Sequence, residues 1–236
     1  MKSIGGEFKK SKTMKIIPSI NTQNFDEVII RVNRLKDLVK EFHLDVASVS
    51  FTGYQTWSNP IELEKLDEDI KANLHLMVAL QPAEILKWAN RRVNRFILHL
   101  EASPNPDGLL KVAKKTRKEI YLAWSPALSF EFIEPYLKFV DGILILGVHP
   151  GPAGQKFLDE TYKRIDRLKL LQKKLTPLIP SFRLKPKQKI MIDGGVNQEN
   201  IQKIISCCVP DYVVLSSAIY NAPDPQEAYC YFSALK

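Results

Sequence analysis

The feature that most limits the fold is an alternation of short apolar runs with longer amphipathic ones. Eight apolar runs stand out: Met14–Ile20, Phe42–Ala47, Asn73–Val78, Arg95–Leu100, Ile120–Ala123, Gly142–Leu146, Lys189–Ile192 and Tyr212–Leu215. Short, near-continuous apolar runs fit strands buried on both faces. Between them the apolar period becomes helical. After Asn24, a capping residue type, the residues Phe25, Val28, Ile29, Val32, Leu35, Leu38 and Val39 fall on one helix face. Helices are predicted over 61–70, from Pro82 to Arg91, up to Arg117, from Ser129 to Phe139, over 159–175, over 198–206 and from Pro225 to Leu235.

Strict alternation of this kind predicts a parallel sheet with right-handed crossovers. Eight units favour closure into a (β/α)8, or TIM, barrel. An open doubly wound sheet is the alternative, but no Gly-x-Gly-x-x-Gly follows the first strand. Residues 14–236 read as one barrel domain, and residues 1–13 as a disordered extension or leader. The interval from Gly142 to Lys189 is longer than the others and holds an extra loop with Pro177, Pro180 and Pro186.

The polar, basic start has no secretory apolar stretch, and no run approaches the roughly 18 residues of a membrane span. Three cysteines, Cys207, Cys208 and Cys230, form neither a disulfide framework nor a zinc spacing. Cytoplasm is the expected compartment. The net charge of +8 suits an anionic substrate and also weak nucleic-acid binding. Much of it lies in two runs, Lys9–Lys15 and Lys169–Lys189, which read as solvated surface.

The seventh strand ends in Ile192-Asp193-Gly194-Gly195-Val196-Asn197. A carboxylate at a strand's carboxyl end, then a glycine turn and a helix start capped by Asn197, is how such folds set a catalytic group beside a phosphate site. The four histidines, His43, His75, His99 and His149, each fall within a strand or just past its end, and point to a shared site at the barrel mouth. In His43-Leu44-Asp45 the two polar side chains share one strand face, and His75 is on the next strand. With Asp193 they could surround one divalent ion: Zn, Fe, Mn or Co. Paired charges in a polar barrel interior are the alternative. Three successive strand ends offer backbone N–H groups for a phosphate: Gly147–Gln155, Gly194-Gly195 and Ser216-Ser217-Ala218.

From Met14 onward the chain resembles ribulose-phosphate 3-epimerase. The matching stretches are Pro18-Ser19-Ile20, His43-Leu44-Asp45-Val46, His75-Leu76-Met77-Val78, His99-Leu100-Glu101-Ala102, His149-Pro150-Gly151-Pro152-Ala153-Gly154-Gln155-Lys156-Phe157, Ile192 to Asn197, and Ser216-Ser217-Ala218-Ile219-Tyr220. The resemblance implies a barrel of the ribulose-phosphate-binding type and a metal held by His43, Asp45, His75 and Asp193. It implies that Asp45 and Asp193 are the acid/base pair for inversion at C3 of a ketose phosphate. Ser19, His75, Gly151, Gly154, Gln155, Gly194, Gly195, Ser216 and Ser217 are then the residues expected around the substrate.

The chain departs from the family at several points. The family continues its first His-x-Asp as Val-Met-Asp-Gly, where this chain has Val46-Ala47-Ser48-Val49. Leu146 stands for a usual methionine, His149 for an asparagine, and Ala153 and Ser216 for glycines. Matching Gly53 to the family's glycine would put Ala47 and Val49 at the metal positions; the His43/Asp45 register is preferred because it needs smaller length changes. The activity expected is D-ribulose 5-phosphate to D-xylulose 5-phosphate. The alternatives are a related epimerase acting on allulose 6-phosphate, a degenerate barrel that binds a sugar phosphate without turnover, and a nucleic-acid-binding barrel supported by charge alone. No specific nucleic acid or membrane partner is expected, and a homo-oligomer is possible.

Overall fold

The computed structural model describes residues 14–175 and 188–235, the side chains of 171–175 excepted. The expectations for the leader and for the proline-bearing loop lie outside those residues. Eight parallel strands close in sequence order into a barrel. They are β1 (Lys15–Ile20), β2 (Glu41–Ala47), β3 (Lys71–Met77), β4 (Val93–Leu98), β5 (Glu119–Trp124), β6 (Gly142–Leu146), β7 (Lys189–Asp193) and β8 (Tyr212–Leu215). β1 pairs with β8, so the sheet has no free edge.

The outer layer contains α1 (Phe25–Leu35), α2 (Val49–Thr52), α3 (Pro106–Lys115), α4 (Phe130–Ile133), α5 (Glu160–Leu175), α6 (Ile201–Cys207), α7 (Ser217–Tyr220) and α8 (Pro225–Ser233). The expected helices over 61–70 and 82–91 are instead 3-10 turns, Pro60–Lys65 and Pro82–Trp88. Both open on a proline, which supplies no N–H to the first turn, and run as i→i+3 turns. The segment expected to run from Ser129 to Phe139 divides at Glu134 into α4 and a 3-10 turn containing Pro135, which has no N–H to continue the helix. β4 ends at Leu98, and His99 then caps a one-turn 3-10 helix, Leu100–Ala102. The helix expected over 198–206 begins at Ile201. Asn197 instead caps the turn before it, its Oδ1 accepting from the N–H of Glu199 at 2.9 Å.

Strand alternation sorts the side chains. In β2, Phe42, Leu44 and Val46 join the apolar layer between sheet and helices, which leaves Glu41, His43 and Asp45 for the barrel interior. In β3 the outward pair is Leu74 and Leu76, with His75 and Met77 inward; in β7 it is Ile190 and Ile192, with Met191 and Asp193 inward. An apolar plug of Ile17, Ile97, Tyr121, Ala123, Leu144, Leu146, Met191 and Val214 fills the middle of the barrel. Below it, at the N-terminal end, Arg95 pairs with Glu41 at 2.9 Å and Glu119 at 3.2 Å and stacks on Tyr121 and Tyr212. Above it sit the histidines and aspartates. Polar side chains thus occupy both ends of the barrel interior, split by the plug into a paired floor and an open mouth.

Candidate active site

Parallel register brings the mouth residues level. Ser19 is opposite His43, Asp45 opposite His75, and Leu146 opposite Asp193. His43, Asp45, His75 and Asp193 each offer a ligand atom, all within 4.8 Å of one another. His43 Nε2 is 3.2 Å from Asp45 Oδ1 and 3.6 Å from Asp193 Oδ2. His75 Nδ1 is 3.0 Å from Asp45 Oδ1 and 3.7 Å from Asp193 Oδ2. His43 is fully buried, yet neither of its ring nitrogens has a hydrogen-bond partner among the described residues. A fully buried imidazole nitrogen set between two carboxylates, in hydrogen-bond geometry with neither, suits a cation-binding position. Two imidazoles and two carboxylates fit a divalent ion of borderline softness. The alternative register fails geometrically: Val49 is an exposed residue of α2, and Ala47 offers no donor atom.

The two carboxylates differ. For Asp45, burial works to raise the pKa, but His43 and His75 more than offset it and hold the carboxyl well below its usual value. Ser19 Oγ donates to its Oδ2 at 3.1 Å. For Asp193, burial and then the charge of Asp45 push the pKa up to about 7. Neighbouring carboxylates whose pKa values are driven apart are a signature of acid/base chemistry.

The glycine turn after Asp193 is tightly specified. Gly194 and Gly195 have φ of 92° and 69°, and a Cβ on Gly195 would lie 2.6 Å from the backbone N of Phe157. The loops after β6 and β7 therefore pack backbone to backbone, and Gly147 N–H donates to Asp193 O at 2.6 Å. All nine residues expected around the substrate line one cleft that also touches Asp45 and Asp193. Ser217 opens α7, so its N–H has no intrahelical acceptor. Gly154 takes a positive φ of 84°, whereas Ala153, at the usual glycine position, does not take one. Among the described residues, no lysine or arginine lines the cleft. An anion there would meet backbone N–H groups, and the net positive charge lies elsewhere.

His43, His75 and His99 come together, with ring centroids 5.2 and 5.1 Å apart along the row. His149 is different: it lines the cleft but is an exposed residue of the loop. Three further residues escaped the sequence reading. Asn21 Nδ2 donates to Asp45 Oδ2 at 3.3 Å and to Gly151 O at 3.4 Å, linking β1, β2 and the loop after β6. Thr56 is buried and ties down the end of β2, its Oγ accepting from Ala47 N–H and donating to Asp45 O. Glu101 accepts from the His99 ring at 2.8 Å. Only the position of Glu101, two residues beyond a strand-end histidine, was a usable signal.

The sequence pattern of the Ribulose-phosphate 3 epimerase family matches residues 15–220. Ribulose-phosphate 3-epimerase of Chlamydia pneumoniae is 28% identical over 217 residues, covering 91% of each chain. The enzyme of that name from Buchnera aphidicola subsp. Baizongia pistaciae is 30% identical, covering 91% of this chain and 90% of its own. Among solved structures, orotidine 5'-phosphate decarboxylase from Pyrococcus horikoshii OT3 superposes with a TM-score of 0.63 at 19% identity, covering 93% of this chain and 97% of its own. 3-Hexulose-6-phosphate synthase from Salmonella typhimurium gives 0.61 at 13% identity, covering 93% and 97%. Those two likenesses concern the barrel fold alone.

Proposed function

The chain belongs to the ribulose-phosphate 3-epimerase family of isomerases, and from that premise we propose that it inverts C3 of D-ribulose 5-phosphate in a metal-dependent, two-carboxylate reaction. The carrying observation is the convergence of His43, Asp45, His75 and Asp193 within 4.8 Å, at a cleft walled by N–H-rich loops.

A divalent ion held by these four side chains would act as a Lewis acid on the substrate's C2–C3 oxygens and make the C3 proton acidic. The chain's own residues do the rest. One aspartate, as carboxylate, takes the C3 proton and leaves an enediolate across C2 and C3. The other, as carboxylic acid, delivers a proton to the opposite face of C3. In the reverse direction they exchange roles. In the metal-free site the surroundings of Asp45 and Asp193 pull their carboxyls in opposite directions, which supports unlike roles for the two. Ser19 holds Asp45 in orientation through its 3.1 Å hydrogen bond. Met77, Leu146 and Val148 keep part of the cleft apolar, which strengthens charge interactions there. The phosphate is assigned to Gly154, Gly195, Ser216 and Ser217, which line the same cleft as the two aspartates.

Among the described residues no helix is long and apolar enough to cross a membrane. Cys207, Cys208 and Cys230 form no disulfide with one another, which supports a reducing compartment such as the cytoplasm. The test is metal content measured together with turnover of ribulose 5-phosphate. Stoichiometric metal with chelator-sensitive turnover is expected. A folded, metal-loaded protein that binds the sugar phosphate but does not turn it over would instead support the degenerate barrel, the reading favoured by Ala47 and Leu146 in place of methionines and Ala153 and Ser216 in place of glycines.

A further inference from the structure

Behind the four candidate ligands a buried polar chain runs outward. His75 Nε2 is 3.0 Å from His99 Nε2, with the two rings nearly parallel at 16°. His99 Nδ1 is 2.8 Å from Glu101 Oε1, and that oxygen also accepts from Ser125 Oγ at 3.2 Å. The His99 ring lies edge-on to Phe51 at 5.1 Å and is 2% exposed, so water has little access to it.

Donor and acceptor counting then orders the protons. An ionised carboxylate only accepts, so His99 Nδ1 carries a hydrogen towards Glu101. Neutral His99 then has a lone pair on Nε2. Two imidazole nitrogens 3.0 Å apart share one hydrogen, so it belongs to His75 Nε2. When a metal takes Nδ1, the nitrogen that without it hydrogen-bonds Asp45 Oδ1 at 3.0 Å and lies 3.7 Å from Asp193 Oδ2, the lone pair of His75 must be on Nδ1. The opposite order would place a hydrogen on Nδ1 and close that nitrogen to a metal.

We propose that Glu101, acting through His99, is the positioning residue that fixes the His75 hydrogen on Nε2 and so presents Nδ1 to the metal. This rests on the metal reading of the site above. Metal-bound histidines ordinarily have their second nitrogen held by a carboxylate or carbonyl. Here the carboxylate acts at one remove, through a second imidazole. Ser125 in turn holds the carboxylate from the end of β5.

The test uses zinc ion and two substitutions. Glu101→Met removes the acceptor and nearly keeps the volume. Glu101→Gln keeps an acceptor oxygen without the charge. Zinc affinity is read by competition with a chromogenic chelator. The hydrogen between the rings is read by 15N coupling between the two Nε2 nuclei in histidine-labelled, zinc-loaded protein. Wild type should show the coupling with the hydrogen on His75. Glu101→Met should bind zinc about 10–100-fold more weakly, the usual range for such partners, because His99 no longer favours one proton order over the other. Glu101→Gln should retain the coupling and lose less affinity. Glu101 is partly exposed on a one-turn helix, and unchanged melting curves exclude misfolding as the cause. Zinc affinity within twofold of wild type for Glu101→Met, or equal losses for both variants, overturns the proposal. A wild-type protein that binds no zinc overturns the metal reading itself, which distinguishes the two failures.

Discussion

Metal affinity should fall steeply with acidity because of one residue, Asp193. Burial, followed by the charge of Asp45, raises its carboxyl pKa to about 7. A ligand carboxylate must lose its proton before it binds, so below that value each pH unit weakens binding about tenfold, or about 1.4 kcal/mol. Between pH 7 and pH 5 the dissociation constant should rise about 50-fold from Asp193 alone, because the group is already half protonated at pH 7. Asp45 adds nothing in this window, because it stays ionised well below its ordinary value. The same shift has a consequence for the metal-free fold. Native Asp193 holds its proton more tightly than the unfolded chain does. Its contribution is therefore fully present below the unfolded value near 4 and is lost as pH rises through about 7, by about 1.4 kcal/mol per unit. Metal should consequently raise the melting temperature more at pH 7.5 than at pH 5. Calorimetric titration with zinc across this range, in wild type and Asp193→Asn, provides the assay. A dissociation constant flat from pH 7 to pH 5 in wild type would refute the reasoning, as would an unchanged slope in Asp193→Asn.

Three other outcomes are expected. Asp45→Asn and Asp193→Asn should each lower kcat by at least about 10²–10⁴-fold, whereas Asp37→Asn, exposed just past α1, should leave it unchanged in the same coupled assay. Gly195→Ala should destabilise the fold by about 2–4 kcal/mol in urea titration, because a Cβ meets Phe157 N at 2.6 Å and φ is 69°; a cost below about 1 kcal/mol would mean the two loops are not locked together. A crystal soaked in sulfate or a sugar phosphate should show density against Gly154, Gly195, Ser216 and Ser217; density found only elsewhere counts against that anion site.

How far the sequence could be read follows from what each feature depends on. The eight strands and their order were legible because buried parallel strands are continuous apolar runs, a property of neighbouring residues. The outer layer was less legible. Pro60, Pro82 and Pro135 were visible, but whether a short proline-led segment coils as α or 3-10 depends on how much chain must fit between two strands. His43, Asp45, His75 and Asp193 were legible because strand period and strand ends aim them at the mouth. His149 showed the limit of that rule: a residue past a strand end belongs to a loop, and this one is exposed. Asn21 and Thr56 were missed because their roles are hydrogen bonds across strands and loops, which depend on the closed barrel. Glu101 could be noticed only from its place two residues past a strand-end histidine; its line to His75 through His99 was out of reach, since the facing of two ring nitrogens needs three-dimensional register.

The central claim is that Asp45 and Asp193 move the C3 proton of a ketose phosphate. Its most direct test is incorporation of solvent deuterium at C3 by the metal-loaded wild-type protein, followed by NMR in heavy water. Exchange needs only the abstracting carboxylate and a substrate held in place, so it is seen even when net epimerisation is slow. Deuterium entering C3 of both ribulose and xylulose 5-phosphate in wild type, with Asp45→Asn and Asp193→Asn each losing exchange at least of the epimer whose proton that residue takes, is the predicted result. A metal-loaded protein that binds the sugar phosphate yet leaves C3 unlabelled would contradict it.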